Sequence, residues 1–98
     1  MTWIRTISPE EADPELKAAY ENSHAGYPPE YGVRVTALAE VEAKGSAAGI
    51  VASHSLIPQA LYHAFSTFSA LMSPDLPLTR RQQEMITTTV SALNRCFY

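Results

Sequence analysis

The chain has 98 residues, with 7 Lys and Arg against 10 Asp and Glu, a net charge of −3 and one cysteine, Cys96; that length makes one small domain, residues 1–98, and excludes an internal disulfide. Cations cluster nowhere beyond Arg80-Arg81, which argues against phosphate-backbone binding and a nucleic-acid partner. No window approaches the ~20 apolar residues of a membrane span, and Met1-Thr-Trp-Ile-Arg5 does not open a signal peptide, so the expected location is cytoplasmic with no membrane contact.

In chain order, residues 1–13 read as an extended lead-in whose Trp3, Ile4 and Ile7 are available to pack on a neighbouring surface. Ser8 with Glu11 has capping-box spacing, and Asp13-Pro14 is a second N-cap signal with proline at the first helical position. A helix over about 14–23 follows. Its apolar face is weak, only Leu16, Ala19 and Tyr20, so it is expected on the outside. Gly26-Tyr-Pro-Pro-Glu-Tyr-Gly32 cannot continue a helix and reads as a loop anchored by Tyr27 and Tyr31.

Residues 33–44 have helical spacing at Val35, Leu38, Ala39 and Glu42, with Gly45 as a C′ stop, while Val33-Arg-Val-Thr36 also suits the start of a strand. Residues 46–55 read as a short helix with Ile50, Val51 and His54 close to one face. Pro58 suits the first turn of the next helix, 58–72, where Ile57, Leu61, Ala64, Phe65, Phe68, Leu71 and Met72 make a wide apolar face. This is the clearest core helix of the chain. Ser73-Pro-Asp-Leu-Pro77 turns the chain back.

The last helix opens at Thr79, which with Gln82 has capping-box spacing. Ile86, Val90, Leu93 and Phe97 form one stripe, Met85, Thr89, Ala92 and Cys96 the next, and Glu84, Thr88, Ser91 and Arg95 a polar third. Ile86-Thr-Thr-Thr-Val90 opposes the assignment, since each β-branched residue costs a few tenths of a kcal/mol relative to Ala in a helix. Helix is expected to win through burial.

Read by itself, Glu84 is a solvated residue beside Arg80 or Arg81, Cys96 an inert thiol and His54 a helix-end or core histidine, with His24 and His63 on the surface. No zinc spacing and no phosphate loop occurs, and Ser46, Ser53 and Ser55 lack a nucleophile elbow. Three segments change the weight of Glu84 and Cys96: HSLIPQAL at 54–61, LTRRQQEMI at 78–86 and VSALNRCFY at 90–98. They resemble the carboxymuconolactone decarboxylase and alkylhydroperoxidase-D superfamily, in particular its peroxidase-related branch. The likeness covers about 54–98 well, the N-terminal helix loosely and 24–50 hardly at all.

The resemblance implies an all-α, alkylhydroperoxidase-D-like domain of about five helices that oligomerises and reduces hydroperoxides with thiols. The family motif is Cys-x-x-Cys with a His four residues after the second Cys and a Glu twelve residues before the first. Glu84 and Cys96 reproduce that twelve-residue spacing, while the second Cys and the His would fall at positions 99 and 103. By the resemblance Glu84 belongs to the proton relay and Cys96 is the resolving thiol; His54, apart from the motif, is a candidate for an outer supporting role. No metal or organic cofactor is implied, and a thiol reductant is an implied partner. A thiolate attacks the O–O bond to give a sulfenic acid, which a second thiol converts to a disulfide.

Lacking the attacking group, the 98 residues alone are expected to be inactive. One expectation is a selenocysteine encoded by UGA at position 99; a shortened chain or a degraded gene is the alternative. Geometry sets a condition too. In one straight helix Glu84 and Cys96 would stand ~18 Å apart along the axis and ~120° apart around it. The chain must therefore turn near Asn94-Arg95, or a second subunit must supply the complement. Two other functions remain open: a non-catalytic helical association module, and, on the superficial likeness of LTRRQQEMI, the opening of a LuxR-like helix-turn-helix, which the residues after Ile86 are too few to complete.

Overall fold

The computed structural model describes residues 3–32, 36 and 49–96. Among them the chain forms helices α1 (Pro14–Ala25), α2 (Gly49–Ala52), α3 (Pro58–Leu71) and α4 (Arg80–Leu93), with a 3-10 turn at Pro29–Gly32 and no strand. The all-α expectation holds for these residues. The helix expected at 33–44, its Gly45 stop and the start of the short helix at 46–48 lie outside the described residues.

Helix α1 begins where the Asp13-Pro14 signal places it. Asp13 Oδ1 accepts from the Leu16 N–H at 2.8 Å, Pro14 occupies the first turn and Glu15 lies beside the positive helix end. The Ser8–Glu11 pair also bonds as its spacing predicts, the Glu11 N–H to Ser8 Oγ at 3.4 Å and Ser8 Oγ to Glu11 Oε2 at 3.3 Å, but it closes an isolated turn. Local hydrogen bonding alone does not propagate a helix when Asp13-Pro14 restarts the chain two residues later.

The expected peripheral position of α1 is overturned. Leu16, Ala19, Tyr20 and Ser23 are all buried, and α1 packs lengthwise on α3. Small and internally satisfied residues allow this. Ser23 Oγ donates to the Tyr20 carbonyl at 2.7 Å, and the Tyr20 phenol donates to the Ile7 carbonyl at 2.6 Å, so neither polar atom is orphaned. At Gly26 the helices touch: a Cβ there would stand 1.5 Å from Ser69 Oγ and 2.6 Å from Ser69 Cβ.

The core is this interface. Ala12, Leu16, Ala19 and Tyr20 meet Val51, Leu61 and Phe65, with Ile7 and Tyr27 at the margin. Full burial of Leu16, Val51 and Leu61 is worth ~1.5–3 kcal/mol each. The lead-in is pinned by the Ile7 N–H on buried Ser55 Oγ at 2.8 Å, while Trp3 is fully exposed and Ile4 largely so. Only Ile7 of the three expected anchors packs on the core.

Helix α3 runs as its periodicity predicts and ends at Met72. Its buried face is narrower than the sequence pattern. Leu61, Phe65 and Met72 are buried and Phe68 is half-buried, but Ile57, Ala64 and Leu71 are exposed. Among the described helices α1 is the one packed along α3, and one neighbour covers one stripe. Ile50 of α2 is likewise exposed beside buried Val51.

Helix α4 carries the expected capping box. The Gln82 N–H reaches Thr79 Oγ1 at 3.3 Å, and Gln82 Oε1 accepts from the Thr79 N–H at 2.9 Å. The β-branched run is helical, but the expected burial is overturned: Gln83 is the buried residue of α4, and everything from Thr88 to Cys96 is exposed. Two other features hold the helix. Gln83 Nε2 donates to the carbonyls of Leu71 and Ser73 at 3.4 and 3.1 Å, taking up acceptors at the end of α3. Within the run Thr87 and Thr89 turn their hydroxyls onto the Glu84 and Met85 carbonyls at 3.0 and 2.7 Å, the helical rotamer open to threonine.

Candidate functional site

Glu84 sits in the second turn of α4 on the flank of the Gln83 contact, half-buried. Arg80, one turn earlier on the same face, donates Nη2 to Glu84 Oε1, the (i, i+4) ion pair of a helix surface. The Tyr31 phenol donates to the same oxygen at 3.3 Å, and Thr87 Oγ1 stands 3.5 Å from Oε2. The Arg80 guanidinium also lies over the Tyr31 ring, 5.2 Å from its centroid, with Nε 4.0 Å from Glu30 Oε2. One cation is shared between two carboxylates and an aromatic face.

The Tyr31 end of this cluster is positioned by rings. Tyr27 packs edge-on to Phe68 at 5.7 Å and to Tyr31 at 5.8 Å, and Tyr31 lies 6.4 Å from Phe68. The sequence reading of Tyr27 and Tyr31 as loop anchors agrees. That Tyr31 also reaches Glu84, 53 residues away, carried no signal in the sequence, nor did the part played by Glu30.

Cys96 lies beyond the C-terminal end of α4 as an exposed free thiol. The helix stops at Leu93 by a Schellman turn. Arg95 takes the left-handed conformation, φ 51°; its N–H bonds the Ala92 carbonyl at 3.1 Å and the Cys96 N–H bonds the Ser91 carbonyl at 2.9 Å. The chain thus leaves the helical path at Asn94-Arg95, the place of one of the two alternatives that the spacing of Glu84 and Cys96 leaves. The turn does not bring the two together. From Glu84 to Leu93 the helix rises ~14 Å, and the Glu84 carboxylate is engaged at the opposite end.

His54 stands apart from both. Its Nδ1 is 2.7 Å from the Ile50 carbonyl and 3.3 Å from Ser53 Oγ, and its ring meets Phe65 edge-on at 6.1 Å. This is a helix-end histidine packed on the core. Among the described residues no group of three His, Cys, Asp or Glu side chains is placed to hold a metal ion, and no helix is long and apolar enough to cross a membrane. The surface concavities on α4 are open depressions, one lined by Arg81, Glu84, Met85, Thr88 and Thr89 and one by Met85, Ile86, Thr89 and Val90. No protein-family model, curated protein or solved structure matches the chain.

Proposed function

We propose that the chain is a helical subunit of a thiol-dependent hydroperoxide reductase of the alkylhydroperoxidase-D type, cytoplasmic and oligomeric, with Glu84 in the proton relay and Cys96 as the resolving thiol. The observation that carries the reading is the Schellman turn at Asn94-Arg95. It frees Cys96 from the helix that bears Glu84 and leaves its thiol open to a second sulfur. The Arg80 and Tyr31 contacts fix the position of the Glu84 carboxylate. Because Cys96 is the one cysteine of the 98 residues, the second sulfur or selenium of the reaction comes from outside one copy of them. The reaction balances as one hydroperoxide and two thiols giving one disulfide, the alcohol and water.

Hydroperoxide turnover with a dithiol reductant tests the reading, in a chain lengthened to carry cysteine at position 99 and histidine at position 103. Turnover is expected, and Glu84→Gln is expected to lower it by ~10²–10⁴-fold, the range of a lost general acid–base group. No turnover, or turnover indifferent to Glu84→Gln, would overturn the assignment. A second reading, a non-catalytic association module, draws support from α4, whose Met85, Ile86, Val90 and Leu93 are all more than half exposed.

A further inference from the structure

Helix α4 is joined to the molecule differently from α1, α2 and α3. The core cluster draws on Ala12, Leu16, Ala19, Tyr20, Val51, Leu61 and Phe65 and on no residue of α4, so the apolar burial that holds α1 on α3 does not involve it. Side chains in the first turn and a half of α4 tie it on. Gln83, its buried residue, donates to the carbonyls of Leu71 and Ser73. The Arg80 guanidinium lies over the Tyr31 ring, with Nη1 4.0 Å from Met72 Sδ and Nε 4.0 Å from Glu30 Oε2. The Tyr31 phenol donates to Glu84 Oε1 at 3.3 Å. From Thr88 to Leu93 the helix is exposed throughout.

The Arg80 and Glu84 attachments face water. The Glu30 side chain is 64% exposed and Tyr31 is exposed, so the ion pair and the phenol bond are exchanged for hydration at little net cost. Separating α1 from α3 has no such compensation, because Leu16 and Leu61 are fully buried there. Residues 74–79, which join α3 to α4, are exposed and bar no movement of the helix.

We propose that α4 is a detachable arm, which leaves the α1–α3 body as one unit while that body stays folded, with Gln83 as the residue that holds it docked. Opening parts Glu84 from the Tyr31 phenol and Arg80 from Met72, and it frees the carbonyls of Leu71 and Ser73. A released helix of 14 residues is marginal by itself in water, so its amides exchange in the open form. The opening stands on the attachments of α4; that it would remove Glu84 from a proton relay is the one consequence that rests on the function proposed above.

Native-state hydrogen exchange of the 98-residue chain, followed amide by amide, tests this without any hydroperoxide. The amides of Ile86, Thr88 and Val90 are expected to share one protection factor, at least ~10-fold below that of Ala64 and Phe65 in α3. Dilute urea is expected to lower it less steeply than that of α3, because undocking exposes less surface than unfolding. Leu61→Val weakens the body in the docked and open forms alike, so it is expected to speed α3 exchange several-fold and leave α4 exchange unchanged. Gln83→Ala weakens the docked form against both the open and the unfolded chain, so it is expected to speed α4 and α3 exchange by one common factor of ~5–30-fold. Equal protection in α4 and α3 with the same urea dependence, or equal acceleration of both by Leu61→Val, would overturn the proposal, since the chain then opens only as a whole. A steady rise in protection from Asn94 back to Gln83 would overturn it too, because the helix then frays from its end. So would α4 exchange indifferent to Gln83→Ala. The urea dependence of the unaltered chain decides the point even where a variant fails to fold.

Discussion

Gly26→Ala probes the contact on which the described fold depends. The added Cβ would stand 1.5 Å from Ser69 Oγ and 2.6 Å from Ser69 Cβ, with Ser69 Cα at 3.5 Å. Rotating the Ser69 hydroxyl away relieves only the first overlap and gives up its bond to the Phe65 carbonyl at 2.9 Å. The Cβ–Cβ overlap remains, so α1 and α3 must separate by several tenths of an ångström and loosen Leu16, Leu61 and Phe65 together. Overpacking of this kind costs ~1–3 kcal/mol. Gly26 itself has φ −87°, a conformation open to alanine, so backbone strain does not enter. Ser69→Gly removes both clashing atoms and leaves only the ordinary 3.5 Å contact. It costs ~1 kcal/mol alone as a glycine inside a helix, yet it should recover most of the Gly26→Ala loss, while Ser69→Ala should recover little. Urea unfolding of the four chains, followed by circular dichroism, gives the coupling, expected at ~1–2 kcal/mol. Additive losses, or full rescue by Ser69→Ala, would refute the close approach of the two helices.

Other outcomes follow from the same contacts. Leu61→Ala leaves a cavity between α1 and α3 and is expected to cost ~2–5 kcal/mol, enough in a domain of this size to show as a largely unfolded population in chemical denaturation. Thr79→Ala removes half of the capping box and should lower stability by ~1 kcal/mol, with hydrogen exchange accelerating in the first turn of α4. Arg95→Gly relieves a left-handed non-glycine residue and should stabilise the end of α4 by ~0.5–1 kcal/mol, read as slower exchange of the Cys96 amide. Gln83→Ala strips α4 of its bonds to the Leu71 and Ser73 carbonyls; a loss of ~1–2 kcal/mol is expected, and no loss would mean that α4 is held by something else.

What could be read from the sequence was local. Asp13-Pro14 and Thr79 with Gln82 mark helix starts through hydrogen bonds within four residues and Pro58 through its fixed backbone angle, and each start falls where the sequence places it. The spacing of Glu84 and Cys96 together with the resemblance left a turn near Asn94-Arg95 and a second subunit as alternatives, and the chain does turn there without bringing the two residues together. Which faces are covered was not legible, because that depends on neighbours. Helix α1 has a weak apolar stripe and is buried, since Ser23 and Tyr20 satisfy themselves internally and Gly26 admits Ser69. Helix α4 has a strong stripe and is exposed, since its attachment runs through Gln83. The Tyr31–Glu84 contact joins residues 53 apart and has no local pattern to announce it.

The most direct test of the redox assignment is the fate of Cys96 in the lengthened chain after one equivalent of hydroperoxide, followed by mass spectrometry of peptides. A disulfide between Cys96 and the cysteine at position 99 is predicted, with two thiols lost per peroxide, and Cys96→Ser should instead leave a sulfenic acid at position 99. Peroxide consumed while Cys96 stays a free thiol, or undiminished turnover in Cys96→Ser, would contradict the account.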